Sequence, residues 1–328
     1  MTFRRVLVAR RGLATLAGGS GAFQQPSAPY VVFDRRVKQI QKDRAALANG
    51  GETSRTVDYV RNAIAETMLE RLQDVRRKFS SILDLGSGSG HFSKLLEPET
   101  AAKVLMVDLS EHSLNRDGDQ DFEGRSFELE RRHADEERLL ELVGRDSQEA
   151  IVSCLSLHWV NDLPGVLVQA REALKPDGML LGAMFGGETL FELRTALQLA
   201  EVEREGGISP HVSPMTDTRD VSNLLGRAGF TLLTVDIDEI QVGYPSVWEL
   251  MDDLRDMGEG NAVVGRRHIL HRDTLLAADA IYKAMHGKED GTIPATFQVI
   301  YFIAWKPAPN QPKPLERGSG QTSLKDVL

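Results

Sequence analysis

The 328-residue chain predicts an open α/β fold with a mostly parallel sheet, and three observations carry that reading. A short apolar run, Ile82-Leu83-Asp84-Leu85, opens into Gly86-Ser87-Gly88-Ser89-Gly90. A second run, Lys103 to Asp108, ends on an acid 18 residues after Gly90. A third strand, 127–132, puts Phe127 and Leu129 on one face, and further apolar runs, 150–155 and 179–185, follow with room for helices between them. Strand, glycine turn and helix make the first unit of a doubly wound sheet, with the ligand beyond the strand's carboxyl end.

In chain order, 34–49 reads as a charged helix that Gly50-Gly51 ends. Residues 56–78 carry Val57, Val60, Ile64, Met68, Leu72 and Val75 at helical intervals, so this helix packs on the sheet. His91 to Leu96, after the glycine loop, reads as a helix start. The fourth strand, 150–155, is almost wholly apolar, as a central parallel strand should be. Beyond it come Ser156 to Asp162 and a helix to Leu174; Lys175 to Gly178 is a turn, and the fifth strand runs to Phe185. Leu190, Leu193, Leu197 and Ala200 mark a long amphipathic helix, broken at Glu205-Gly206-Gly207. The loop 208–214, with two prolines, is placed to close over the crevice. Asp220 to Ala228 is helical with Gly229 as its cap; 230–237 is a sixth strand. Helices follow around 247–254 and 275–285, joined by a glycine- and arginine-rich loop, 258–272. Ala295 to Trp305 is a final strand, antiparallel at or near the sheet edge. The domain expectation is 1–33 as targeting segment, 34–78 as N-terminal helices, 79–305 as ligand-binding domain and 306–328 as a loose tail. Within the domain, 188–229 and 246–290 are helical cap or partner-binding insertions.

Composition excludes several classes. A net charge of −9 argues against a nucleic-acid surface. Cys154 is the sole cysteine, so the chain builds no disulfide framework and no iron–sulfur site of its own. No apolar run reaches membrane-spanning length, which leaves peripheral contact. Arg4, Arg5, Arg10 and Arg11 precede Asp34 with no acid among them. That is transit-peptide composition, the alternative being a basic tail.

The glycine loop is G-x-G-x-G, not the dinucleotide G-x-G-x-x-G, and no Lys-Ser/Thr follows as in a phosphate loop. An acid before so compressed a loop suits S-adenosyl-L-methionine (AdoMet), whose amino-acid end carries an ammonium group. The expected cofactor set is Asp84, Gly86, Gly88, Gly90, Asp108, Asp135 and Ser153. Asp108 would accept from the ribose hydroxyls, although a strand-end Asp also caps helices, as Ser110 can. Asp135 would lie beside the adenine. His158 and Trp159, after the fourth strand, are expected near the reacting groups; Trp159 reads equally well as core. Glu188 is expected to orient a cationic group, or simply to favour a helix N-terminus. His133-Ala134-Asp135 has metal-ligand spacing but falls at the adenine position, so no metal site is expected.

Ser156 to Pro164, Leu174 to Gly178 and Ala183 to Leu190 resemble the family of mitochondrial complex I assembly factor 5. So do Leu199-Ala200-Glu201, Arg204 to Gly207, Ser209-Pro210-His211 and Leu225 to Phe230. The resemblance runs from about Phe33 to Trp305. It implies a class I methyltransferase fold, a Rossmann-like seven-stranded sheet with one antiparallel strand. It further implies a matrix enzyme, peripheral on the inner membrane, that hydroxylates an arginine of the iron–sulfur protein 7 subunit with other early assembly factors present. The same architecture resembles the bacterial malonyl-carrier-protein methylating enzyme, so methyl transfer is the alternative. A third possibility is an assembly chaperone that retains an AdoMet pocket.

Overall fold

In the computed structural model the described residues are 31–312, apart from Arg76, Pro98, Glu123 and Ser126, together with Gly318. The segment before Val31, and with it the expected targeting function, lies outside the described residues. So does most of the tail. Val32 and Phe33 belong to the folded body: both backbone N–H groups donate to Asn161 Oδ1, at 2.9 and 2.8 Å. Phe33 packs edge-on against Trp159.

Helix α1, Arg35–Leu47, starts where Asp34 accepts from the Val37 N–H at 3.0 Å. It ends at Asn49 and Gly50, both left-handed. The expected helix over 56–78 is shorter, 59–74, and a separate turn of helix precedes it. A short α2, Glu52–Thr56, is followed by α3, Tyr59–Asp74, which buries Val60, Ile64, Met68 and Leu72. Strand β1, Phe79–Leu85, enters the glycine loop. The helix expected at His91 to Leu96 is not formed; a single 3-10 turn, Ser93–Leu95, stands in its place. Side chains there are already committed, His91 between Ser89 and Asn62 and Ser93 to Asp84. The residue before Pro98 is also biased away from helix.

The chain then runs through β2 (Ala101–Asp108), α4 (Glu111–Leu114), β3 (Glu128–His133), α5 (Leu139–Leu142) and β4 (Gln148–Cys154). Next come α6 (Leu163–Ala173), β5 (Leu174–Phe185), α7 (Phe191–Glu205), α8 (Thr218–Ala228) and β6 (Thr231–Tyr244). It closes with α9 (Val247–Asp256), α10 (Arg272–His286) and β7 (Ile293–Trp305). The sheet order is β3-β2-β1-β4-β5-β7-β6. The first five strands are parallel, and β7 pairs antiparallel with both β5 and β6. This is the expected fold, with the antiparallel strand next to the edge and β6 outside it. The expected turn at Lys175 to Gly178 is an excursion within β5: Leu174 pairs with Gln148, and Met179 already with Ala150. Strand β6 runs seven residues beyond the expected Ile237, where Ile240, Val242 and Tyr244 pack on the sheet face opposite to that of Leu233 and Val235.

Both faces of the sheet are covered. On one, α3, α7, α9 and α10 bury Ile64, Leu197, Leu250 and Tyr282 against Val152, Leu181 and Val299. On the other, α6 and α8 bury Val166, Leu167, Val221 and Leu225 against Leu83, Ile151 and Leu180. Each such aliphatic side chain contributes about 1.5–3 kcal/mol on burial. This two-sided core holds the carboxyl ends of β1, β2 and β4 rigidly side by side, where the candidate residues converge.

Candidate functional site

Gly86, Gly88 and Gly90 all have positive φ, at 71°, 55° and 80°, so the loop turns tightly on residues without a Cβ. Gly86 and Ser87 donate backbone N–H groups to the Val107 carbonyl, at 2.8 and 2.9 Å. Gly88 donates to Asp108 Oδ2 at 2.8 Å. A Cβ at Gly86 would stand 2.0 Å from Ser156 Oγ, so this glycine also admits the loop after β4.

Asp84 is fully buried. Its Oδ2 accepts from Ser93 Oγ at 2.6 Å, while Oδ1 has no hydrogen-bond partner. Burial pushes its carboxyl up to about 7, with the Asp108 charge adding to the effect. Asp108, also fully buried, accepts from the Ser110 N–H at 2.8 Å and from Lys42 Nζ at 2.6 Å. An unpartnered buried carboxylate oxygen beneath a glycine loop suits a ligand ammonium. A second acid at the neighbouring strand end suits a ribose diol. The donor set therefore fits AdoMet.

Helix α1 lies over this crevice. Spacings of three and four put Arg35, Lys38 and Lys42 on one face. Arg35 pairs with Glu136, and with Asp135 at 2.9 Å. Lys38 donates to the carbonyls of Gly258 and Gly260, at 2.9 and 3.2 Å, and Lys42 pairs with Asp108. Asp135 also caps the turn that follows it, accepting from the Glu137 N–H at 3.0 Å. The opening among Lys42, Arg61, Ser89 and Met257 is a cavity of only about 10 Å³.

Glu259, which the sequence reading passed over, is the hub of the second half of the site. It pairs with Arg61 at 2.6 Å and accepts from the Trp159 indole N–H at 2.9 Å. Lys38 Nζ and His158 Nε2 stand 3.9 and 3.8 Å away. Desolvation alone would raise its pKa, but Lys38, His158 and Arg61 together hold the carboxyl well below the ordinary range. Burial pulls the Lys38 ammonium down to about 7 against the Glu259 charge. His158 is buried as well, which lowers its pKa against the opposing pull of the Glu259 charge. The Phe185 N–H points at its Nδ1 from 3.5 Å, which puts the ring proton on Nε2.

Trp159 and Glu259 form part of the wall of a cavity of about 370 Å³, lined also by the apolar Phe185, Leu193, Leu197 and Phe297 and by the basic side chains of Arg44, Arg255, Arg266 and Arg267. The loop expected to close over the crevice does border it, through His211 to Ser213. It is latched by Glu201, which accepts from the Ser209 N–H at 2.6 Å and from the Ser209 hydroxyl. Glu201 also stands 3.1 Å from His211 Nε2. That is the same nitrogen that faces Ser209 Oγ, so the three residues form a latch and not a nucleophilic triad.

His158 and Trp159 are thus brought together with Asp84, Asp108 and the glycine loop by adjacent strand ends. Ser153 spends its hydroxyl on the Leu85 carbonyl, at 2.8 Å, tying β4 to β1. Glu188 is exposed, and its neighbours Thr189 and Leu190 line the cavity instead. His133 Nε2 contacts the Leu109 carbonyl while Asp135 faces Arg35. Among the described residues, no group of three or more His, Cys, Asp or Glu is arranged to hold a metal ion, and no helix is long and apolar enough to cross a membrane.

The methyltransferase domain family matches residues 57–235. The mitochondrial arginine-hydroxylase NDUFAF5 of Danio rerio is 47% identical over 296 residues, covering 90% of this chain and 89% of the relative. The malonyl-[acyl-carrier protein] O-methyltransferase of Methylovorus sp. is 32% identical over 284 residues, covering 85% and 90%. Among solved structures, the YcgJ protein of Bacillus subtilis superposes with a TM-score of 0.52 at 12% identity, covering 74% of this chain and 99% of that one, a likeness of fold.

Proposed function

Because the chain belongs to the NDUFAF5 arginine-hydroxylase family, on a methyltransferase domain, we propose that it is a mitochondrial enzyme that binds AdoMet and hydroxylates an arginine of a complex I subunit. The observation that carries this reading is 47% identity sustained over 90% of the chain. The subunit is the iron–sulfur protein 7, reached from the matrix side of the inner membrane during early assembly.

Asp108 would hold the ribose hydroxyls of AdoMet, Asp84 its ammonium, and Asp135 the adenine edge, with Gly86, Gly88 and Gly90 giving the backbone close approach. AdoMet, when bound, supplies an electron-poor sulfonium, whose ordinary chemistry is methyl donation; inserting oxygen into a C–H bond needs a separate oxidant. The substrate arginine enters the cavity beside Trp159. The apolar wall of Phe185, Leu193 and Phe297 packs its methylenes and excludes water. The cavity mouth bordered by the 208–214 loop, within the 188–229 insertion, receives the partner.

A second reading, methyl transfer, is favoured by the 32% identity to a carrier-protein methyltransferase. Peptide mass mapping of the subunit from cells with and without this chain separates the two. Loss of the chain removes one oxygen from an arginine peptide; loss of a methyl group indicates methyl transfer, and an unchanged peptide overturns both readings.

A further inference from the structure

Lys38 occupies a site built for a cation. Its Nζ lies 3.2 Å from the centroid of the Trp159 ring. It donates to the Gly258 and Gly260 carbonyls, at 2.9 and 3.2 Å, and Glu259 Oε2 stands 3.9 Å off. An aromatic face, a carboxylate and two carbonyls favour positive charge and leave a neutral group only hydrogen-bond acceptors. None of these groups belongs to α1. Trp159 follows β4, and 258–260 follow α9. The same Trp159, Glu259 and Gly260 line the cavity of about 370 Å³, so the cation site opens onto it. Lys38 itself does not line that cavity; it reaches the site from α1, whose Arg35 and Lys42 pair with Asp135 and Asp108.

We propose that this cage of Trp159, Glu259 and the Gly258 and Gly260 carbonyls is the receptor for the substrate's alkyl-guanidinium group, and that Lys38 is an internal stand-in which leaves when that group arrives. The proposal rests on the reading that the substrate is an arginine side chain. A guanidinium suits the cage better than an ammonium does. Its plane stacks on the indole, its fork of N–H groups meets the Glu259 carboxylate, and it is the more weakly hydrated cation. The apolar part of the cavity then holds the arginine methylenes, which places the C–H bonds of the side chain beside Phe185 and Phe297.

The test titrates a blocked Gly-Arg-Gly peptide, and the same peptide with citrulline in place of arginine, into the full-length chain by calorimetry. Lys38→Met should bind the arginine peptide at least tenfold more tightly than the unmodified chain, roughly 1.4 kcal/mol. The citrulline peptide should gain nothing. Equal affinity of the two chains for the arginine peptide, or no binding to either, overturns the proposal, as does an equal gain for citrulline. A second measurement uses the unmodified chain, so it stands even if Lys38→Met folds poorly. Reductive methylation followed by peptide mass analysis should show Lys38 protected, and saturating arginine peptide should expose it to labelling. Unchanged labelling overturns the proposal. Absence of a hydroxylated product in cells would sink the functional reading and leave these binding results untouched.

Discussion

Glu259→Gln should destabilise this protein far more than a single lost charge on its surface would. The carboxylate is buried among Arg61 at 2.6 Å, the Trp159 indole N–H at 2.9 Å, and Lys38 and His158 just beyond hydrogen-bond reach. Glutamine keeps the shape and one acceptor but leaves two buried cations facing no counter-charge. Breaking a buried pair in this way costs about 3–5 kcal/mol. At about 2–4 °C per kcal/mol for a domain of this size, the melting temperature should fall by about 10 °C. Differential scanning calorimetry at neutral pH gives the number. The double variant Glu259→Gln with Lys38→Met supplies the control, since removing one stranded cation should restore part of the loss. A fall of less than about 2 °C, or a double variant less stable than the sum of the single changes, would refute the claim that Glu259 is the electrostatic hub.

Three other outcomes follow from the same geometry. Asp84 keeps its proton up to about 7 when folded, far above its value in the unfolded chain. Its contribution is therefore fully present below the unfolded value near 4 and is lost as pH rises towards 7, at most about 4 kcal/mol. Asp84→Asn should flatten that decline in urea titrations between those limits, and an unchanged slope would show that Asp84 ionises freely. Asp108→Asn should weaken AdoMet binding by tenfold or more, the cost of about 1.5–3 kcal/mol for a charge-assisted bond, read by calorimetry; unchanged affinity would remove Asp108 from the ribose site. Glu201→Gln should free the 208–214 loop, seen as faster backbone hydrogen exchange at Ser209, whose N–H now donates to Glu201 at 2.6 Å; equal exchange rates would mean that the prolines alone hold the loop.

What was legible in the sequence was local. Apolar runs marked the central parallel strands β1, β2, β4 and β5, because strands buried on both faces tolerate little else, and those of β1 and β2 carried an acid at the carboxyl end. The glycine loop with Asp84 and Asp108 marked the crevice, because a tight turn and buried acids leave few alternatives. What escaped was long-range. Helix α1 read as a charged, solvated helix, yet Lys42 meets Asp108 from 66 residues away and Lys38 meets Gly258 from 220. Glu259 sat in a loop that looked merely arginine-rich. A lone acid between Gly258 and Gly260 was the available signal, and nothing local said that three basic side chains would converge on it. Glu188, by contrast, followed a strand end and read as close to the crevice, but the chain turns so that Thr189 and Leu190 face the cavity. The helix expected after the glycine loop failed because propensity there yields to the hydrogen bonds of His91 and Ser93.

The most direct measurement restores the chain to cells that lack it and records the intact mass of the arginine-bearing complex I subunit. Re-expression of the unmodified chain should add the mass of one oxygen atom, and Asp108→Asn should restore little of it. Addition of a methyl group in place of oxygen, or an unchanged mass with complex I assembly restored, would contradict the account.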